Sequence, residues 1–386
     1  MDYQFDRITD RRGTGSVKWD IQENELPMWV ADMDFPAAPC IRRAIEARAA
    51  HGVFGYSTLP DAWYDAYRNW WGTHHSLAVS REELIFTIGV IPAISTAVRK
   101  FTTPAEKIVL QTPVYNHFFS SVVNNGRRVL ENPLVYHDGE FDMDFEDLEQ
   151  KLSDPLATMM ILCNPQNPTG KIWSREHLAR VGELCKKHHV LVFSDEIHCD
   201  LTAPGCSYVP FASVNDTCRY NSITAVAPTK TFNIAGIHSA AVIVPEEGLR
   251  QRMDRALNTD EVAEPNAFAV SATVAAFSDE GWDWLTALRE YIEQNKKTAY
   301  AFIREELPDV HAVSQDATYL MWLDVSRYTD DSASLQRRIR EKTGLFLCAG
   351  DMYGGIGNRF LRMNAACPRV LLEDGLRRLK AGLEQA

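Results

Sequence analysis

No basic arm, lysine-rich tract or long apolar run occurs in this 386-residue chain. Its 40 Lys and Arg stand against 52 Asp and Glu, a formal charge of −12 that argues against nucleic acid or an anionic membrane surface as partner and leaves small molecules. No stretch comes near the roughly 20 apolar residues that cross a bilayer. The opening residues Met1–Asp6 are polar and acidic where a secretory leader would be basic and then apolar, so a cytoplasmic protein is expected. Eight cysteines, at positions 40, 163, 185, 199, 206, 218, 348 and 367, include no C-x-x-C pair. Scattered in this way, with Cys163 and Cys185 in apolar segments, they predict reduced thiols and no metal site. The pairs His74-His75 and His188-His189 lack metal spacing and evident partners. Near predicted helix ends, they read as cations that complement a helix dipole. No internal repeat or low-complexity linker divides the chain.

What is present is ample apolar content, 45% of residues, in a chain longer than one core usually holds. Short apolar runs alternate with amphipathic stretches from about residue 83 to 244, the signature of a parallel sheet covered by helices. The predicted strands are Glu83–Ile88, Lys107–Gln111, Arg127–Glu131, Thr158–Cys163, Val190–Ser194, Asn221–Val226 and Ala240–Val244. Between two of them, Ser174–His189 predicts a helix, with Ser174 as cap, Glu176 in the first turn, and Leu178, Val181, Leu184 and Cys185 at core spacing. Beyond Pro265 the pattern changes to long helices, Ala267–Ser278 and Trp282–Glu306. A strand at Tyr319–Val325 and helices near Ser332–Thr343 and Arg369–Leu383 follow. The expected fold is α/β, a seven-stranded, mostly parallel sheet flanked by helices, with a smaller α+β lobe. Trp70, Trp71, Trp282 and Trp284 read as packing residues on amphipathic helices.

Three polar residues each follow a predicted buried strand: Asn167, Asp195 and Lys230. The carboxyl edge of an open α/β sheet is where ligands bind. Their chemistry is complementary. A desolvated lysine condenses with an aldehyde, a carboxylate keeps a heteroaromatic nitrogen protonated, and an amide donates to a ring oxygen, which together are the demands of pyridoxal phosphate. A phosphate seat is predicted at Thr87–Ile94, where Gly89 allows a tight turn, Pro92 suits a first helical position, and the free amides of Val90 and Ile91 face an anion.

These residues lie in longer motifs. Asn164-Pro165-Gln166-Asn167-Pro168-Thr169-Gly170, Ser194-Asp195-Glu196-Ile197-His198, Thr229-Lys230-Thr231-Phe232 and Arg362-Met363-Asn364-Ala365 occur in the order and spacing of fold-type I pyridoxal-phosphate enzymes, the aspartate aminotransferase superfamily, which the chain resembles over nearly its whole length. Met28-Trp29-Val30-Ala31-Asp32-Met33-Asp34-Phe35, Phe54-Gly55-Tyr56-Ser57, Asp195–Asp200, Thr318–Asp324 and Phe360–Asn364 resemble its MalY/PatB cystathionine β-lyase branch.

The resemblance implies roles for particular residues. Lys230 is then the Schiff-base lysine and catalytic base, Asp195 the pyridinium partner, Asn167 the donor to the phenolic oxygen, and Tyr115 the ring stacked on the cofactor. Val90, Ile91 and Thr229 hold phosphate together with Tyr56 from a neighbouring subunit, which implies a homodimer. Arg362 grips the substrate α-carboxylate, and Ala31, Asp32, Tyr319 and the Tyr353–Gly355 turn border the substrate. Two departures from the aminotransferase pattern, His198 for a tyrosine and His238 for a phosphate-binding arginine, are open to two readings, cofactor contact or structural residue. Ala227 likewise replaces a phosphate-binding serine.

The implied domains are a large cofactor-binding domain, 46–280, and a small domain formed by 281–386 with the N-terminal segment 1–45. The implied activity is α,β-elimination at the carbon–sulfur bond of L-cystathionine or another L-cysteine S-conjugate. The alternatives are an aminotransferase on the same scaffold and a pyridoxal-holding protein whose task is to bind a regulator.

Overall fold

Seven short strands form the central sheet of the computed structural model, which describes residues 3–384. Met1, Asp2, Gln385 and Ala386 lie outside the described residues, and with them the first two positions of the acidic N-terminal stretch. The strands are β1 (Leu84–Thr87), β2 (Lys107–Thr112), β3 (Arg128–Pro133), β4 (Ala157–Cys163), β5 (Leu191–Asp195), β6 (Ser222–Val226) and β7 (Ala240–Ile243). They lie in the order β1-β7-β6-β5-β4-β2-β3. All neighbours are parallel except that β7 runs against both β1 and β6.

The apolar runs form strands because helices cover both faces of this sheet, so neighbours on either face must be water-free. Ile108, Val109 and Leu110 on β2, and Ile223 and Ala225 on β6, are fully buried. Between β4 and β5, the helix Arg175–Lys187 starts at Ser174, whose side chain accepts from His177 N, and buries Leu178, Val181 and Cys185. Each parallel strand ends on the same edge, so the segments after β1, β2, β4, β5 and β6 converge there. The segment preceding the reversed β7 arrives at that edge too.

A second sheet of four antiparallel strands contains Leu320–Asp324 paired with Phe360–Asn364, and the 28-residue helix Asp279–Glu306 runs between the two sheets in sequence. Leu26–Pro27, near the start of the described residues, pairs in parallel with Leu345–Phe346. Leu26 and Met28 share a core with Leu345, Leu361, Met363 and Leu376. Trp70, Trp71 and Trp284 are buried in one core with Phe277, and Trp282 packs at its margin.

Three local expectations need correction. Asp195 is the last residue of β5 and pairs with Ala225, where the apolar pattern alone ended the strand at Ser194. Lys230 sits on a one-turn helix, Pro228–Thr231, and not in an open turn. Pro92 is the third helical residue, because Gly89 is the cap and Val90 begins the helix Val90–Phe101. A proline is tolerated there because the first turn's N–H groups have no intrahelical partner.

Candidate active site

A cavity of about 240 Å³ opens at the carboxyl edge of the sheet. Lining it are Ala31, Val90, Ile91, Tyr115, Asn167, Asp195, His198, Thr229 and Lys230, nine of the residues named from sequence. His238 lines it as well. The topology explains the gathering: β2, β4, β5 and β6 deliver Tyr115, Asn167, Asp195 and Lys230 to one edge. The turn after β1 brings the amino end of Val90–Phe101, which carries no side-chain cap. Residues preceding β7 come next to that turn because Ala240 pairs with Thr87.

Lys230 Nζ donates to Ala31 O at 2.5 Å. Burial, reinforced by the Arg362 charge, brings its amine down to about 8. Asp195 accepts from Ile197 N at 3.1 Å, and burial pushes its carboxyl up to about 7. Both groups are therefore driven toward their neutral forms by lost hydration. Burial, with Lys230 and Arg362 nearby, takes the His198 imidazole down to about 3, so it is neutral, and its Nδ1 is buried with no hydrogen-bond partner among the described residues. The Tyr115 phenol is pushed up to about 12, chiefly by burial.

Arg362 is one layer back. Its Nη1 donates to Asn167 Oδ1 at 3.2 Å and its Nη2 to Trp29 O at 2.9 Å, while Nε is buried without a partner among the described residues. The Tyr353 ring lies 5.1 Å from the guanidinium carbon. Along the strap Trp29–Met33 every carbonyl accepts from a side chain. Trp29 O takes Arg362, Val30 O and Asp32 O take Asn364 Nδ2, Ala31 O takes Lys230 and Tyr319, and Met33 O takes Asn233 Nδ2. No periodicity marks such a strap, because most of these partners lie some 200 to 330 residues away in sequence, and the nearer ones, Lys18 on Asp32 O and Arg11 on Met33 O, belong to no regular element.

Other assignments change. Tyr319 is fully buried and does not line the cavity; its hydroxyl donates to Ala31 O at 3.1 Å, so within this chain its contact is to the strap. Tyr56 is fully exposed and lines no part of the cavity of its own chain. Three of the four adjacent histidines do have neighbours for their rings. His75 Nε2 donates to Asp200 Oδ1 at 2.7 Å, His74 stacks on Trp282, and His188 lies 3.7 Å from Glu149. Asp200, His75 and Cys199 place their ligand-type atoms within 4.8 Å of one another, a grouping the cysteine spacing does not reveal. The Asp200 oxygens also accept from Trp70 Nε1 at 2.9 Å and from Thr231 Oγ1 at 3.0 Å. Sequence reasoning also missed Cys163 and Ile197 as lining residues. Each lies close in sequence to a named residue, and only that adjacency could have pointed to them. All eight cysteines are free thiols, seven of them buried.

The residues fit pyridoxal phosphate on three observations. A buried carboxylate that, among the described residues, accepts a hydrogen bond only from a backbone N–H calls for a cationic N–H, which a protonated ring nitrogen provides. The buried, unpartnered His198 Nδ1 calls for a polar neighbour. The uncapped helix start beside Gly89 offers amides to an anion.

The sequence profile of aminotransferase class I and II matches residues 24–379. The chain belongs to that family. Within it, the chain is 47% identical over 385 residues to cystathionine beta-lyase PatB of Bacillus subtilis, covering 98% of this chain and 99% of that protein. Among solved structures, cystalysin from Treponema denticola, which contains pyridoxal 5'-phosphate, superposes with a TM-score of 0.96 at 28% identity, covering 100% of each chain. The pyridoxal-phosphate-bound C-S lyase of Staphylococcus hominis gives 0.91 at 30% identity, covering 99% of this chain and 98% of the other. For this family member, the seven-stranded sheet and its flanking helices are thus the shared scaffold.

Proposed function

We propose that this chain is a pyridoxal-phosphate-dependent carbon–sulfur β-lyase. It cleaves L-cystathionine or a related L-cysteine S-conjugate by α,β-elimination to a thiol, pyruvate and ammonia. The observation that carries this reading is the convergence of Lys230, Asp195 and Asn167 on one cavity with Arg362 behind them, in a chain 47% identical to a cystathionine β-lyase.

Lys230 would bind the cofactor's aldehyde carbon, Asp195 its ring nitrogen, Asn167 its phenolic oxygen, and the Gly89–Ile91 turn with Thr229 its phosphate. Bound there, pyridoxal phosphate supplies an electron sink for the pair released when the substrate Cα–H bond breaks. Arg362 grips the α-carboxylate, and its bonds to Asn167 Oδ1 and Trp29 O set the guanidinium plane before substrate arrives. With Asn167 Oδ1 so engaged, its Nδ2 remains to donate. The Lys230 amine, brought down to about 8, is partly neutral near pH 7.5 and takes the Cα proton. The thiolate then leaves Cβ with the C–S bonding pair, and the enamine product hydrolyses to pyruvate and ammonia.

The active unit in this reading is a homodimer in the cytoplasm, with Tyr56 of each subunit reaching the phosphate of the other. Its exposed position, beside exposed Val53 and Phe54, supports that geometry. Residues 46–280 form the cofactor-binding domain, and 281–386 with 1–45 the small one, supported by the pairing of Leu26–Pro27 with Leu345–Phe346. The test is pyruvate release from L-cystathionine with no keto acid present. Turnover only after a keto-acid acceptor is added makes the protein an aminotransferase.

A further inference from the structure

Two donors aim at one oxygen in the strap. Lys230 Nζ donates to Ala31 O at 2.5 Å, and the Tyr319 hydroxyl donates to the same oxygen at 3.1 Å. The carbonyls on either side are held independently, since Asn364 Nδ2 donates to Val30 O at 2.7 Å and to Asp32 O at 2.6 Å. The Tyr319 backbone is also fixed, its own carbonyl accepting from Ala365 N at 2.8 Å. Burial raises the Tyr319 phenol above its ordinary range, so it stays protonated, and against a carbonyl it can only donate. A carbonyl has two acceptor sites drawing on one pool of electron density, so two donors on one oxygen weaken each other.

We propose that Tyr319 is a positioning residue for the elimination. By occupying one acceptor site of the Ala31 carbonyl, it leaves the free amine of Lys230 a single, weakened acceptor from which the amine turns back to the substrate Cα. This role rests on the lyase reading, but the underlying contact does not. The other charged groups acting on the amine are Arg362, Asp32 and Asp195, with neutral His198 also adjacent. Among the described residues none of these donates to Ala31 O. Tyr319 is therefore the group through which that oxygen's strength as an acceptor is set.

The experiment is Tyr319→Phe, which keeps the ring and removes the hydroxyl. In the full chain stripped of cofactor, Lys230 is labelled with acetic anhydride across a pH series and read by peptide mass spectrometry. The expected labelling midpoint moves up by ~0.5–1 pH unit, because the ammonium then has the whole carbonyl. A fluorotyrosine placed at 319 donates more strongly and moves the midpoint down. In the holoenzyme, kcat on an S-conjugate falls ~3–10-fold near pH 7 and recovers above pH 9, while KM is unchanged. An unmoved midpoint in both variants overturns the proposal, and so does a kcat loss that is the same at every pH. If the unaltered protein releases no pyruvate while the labelling midpoints still move, the lyase reading fails and the contact stands.

Discussion

Replacing Arg362 by lysine keeps the positive charge and removes the planar fork. In the structure each terminal guanidinium nitrogen spends one N–H, on Asn167 Oδ1 at 3.2 Å and Trp29 O at 2.9 Å, which leaves one from each for a carboxylate. Hydrogen bonds to charged groups contribute about 1.5–3 kcal/mol each, and a lysine ammonium regains one of the two. The deficit is then about 1.5–3 kcal/mol, or roughly 10- to 150-fold in kcat/KM. The assay is pyruvate release from an L-cysteine S-conjugate. Beside it, binding of an S-substituted cysteamine, which lacks the α-carboxylate, is followed by the visible absorbance of bound cofactor. Arg362→Lys should weaken the first and leave the second nearly unchanged. Equal loss for both compounds would mean that the arginine only supports Asn167 and the strap, and the carboxylate assignment would be refuted.

Other outcomes follow from the same geometry. The Asp195 carboxyl is raised from its ordinary value to about 7 in the cofactor-free fold, so its contribution to stability is fully present below pH 4 and is lost as pH rises to 7. Asp195→Asn should accordingly stabilise the cofactor-free chain at pH 8, by about 2–4 kcal/mol in urea unfolding, while abolishing pyruvate release; an unchanged or lowered midpoint contradicts the account of burial. Lys230, lowered to about 8, costs stability below that pH, and the cost is relieved as pH rises toward 10.5. Asp200→Ala strips acceptors from the buried Trp70 Nε1, from Thr231 Oγ1 and from His75, and should destabilise by about 3–5 kcal/mol in the same assay. A loss under about 1 kcal/mol would show that these donors find water instead. Tyr56→Phe should weaken pyridoxal phosphate binding about 10- to 150-fold in a cofactor titration, the equivalent of one lost bond to a charged acceptor. An unchanged affinity removes Tyr56 from the phosphate site.

Much of the scaffold was legible in the linear chain because burial on both faces leaves a local trace. Ala240–Ile243 reads as an unbroken apolar run, and Ser222–Val226 as one interrupted only by the small Thr224 after Ser222, since no face of either strand meets water. The helix Arg175–Lys187 was legible from its serine cap and its spacing of core residues. Asn167, Asp195 and Lys230 could be placed together because parallel strands end on one edge, so a position after a strand is also a position in space. The corrections at Pro92 and Lys230 came from one-turn details that periodicity does not resolve.

What the chain alone determined is therefore the set of strands, the residues waiting at their carboxyl ends, and the chemistry those residue types can perform together. The tertiary structure alone decided which partner each polar group meets. It placed Arg362 on Asn167 across 195 residues, His75 on Asp200 across 125, and Lys230 with Tyr319 on the single carbonyl of Ala31. The physical reason is one of range. Hydrophobic periodicity records whether a side chain faces the interior, whereas a hydrogen bond depends on which distant segment the fold brings to within about 3 Å.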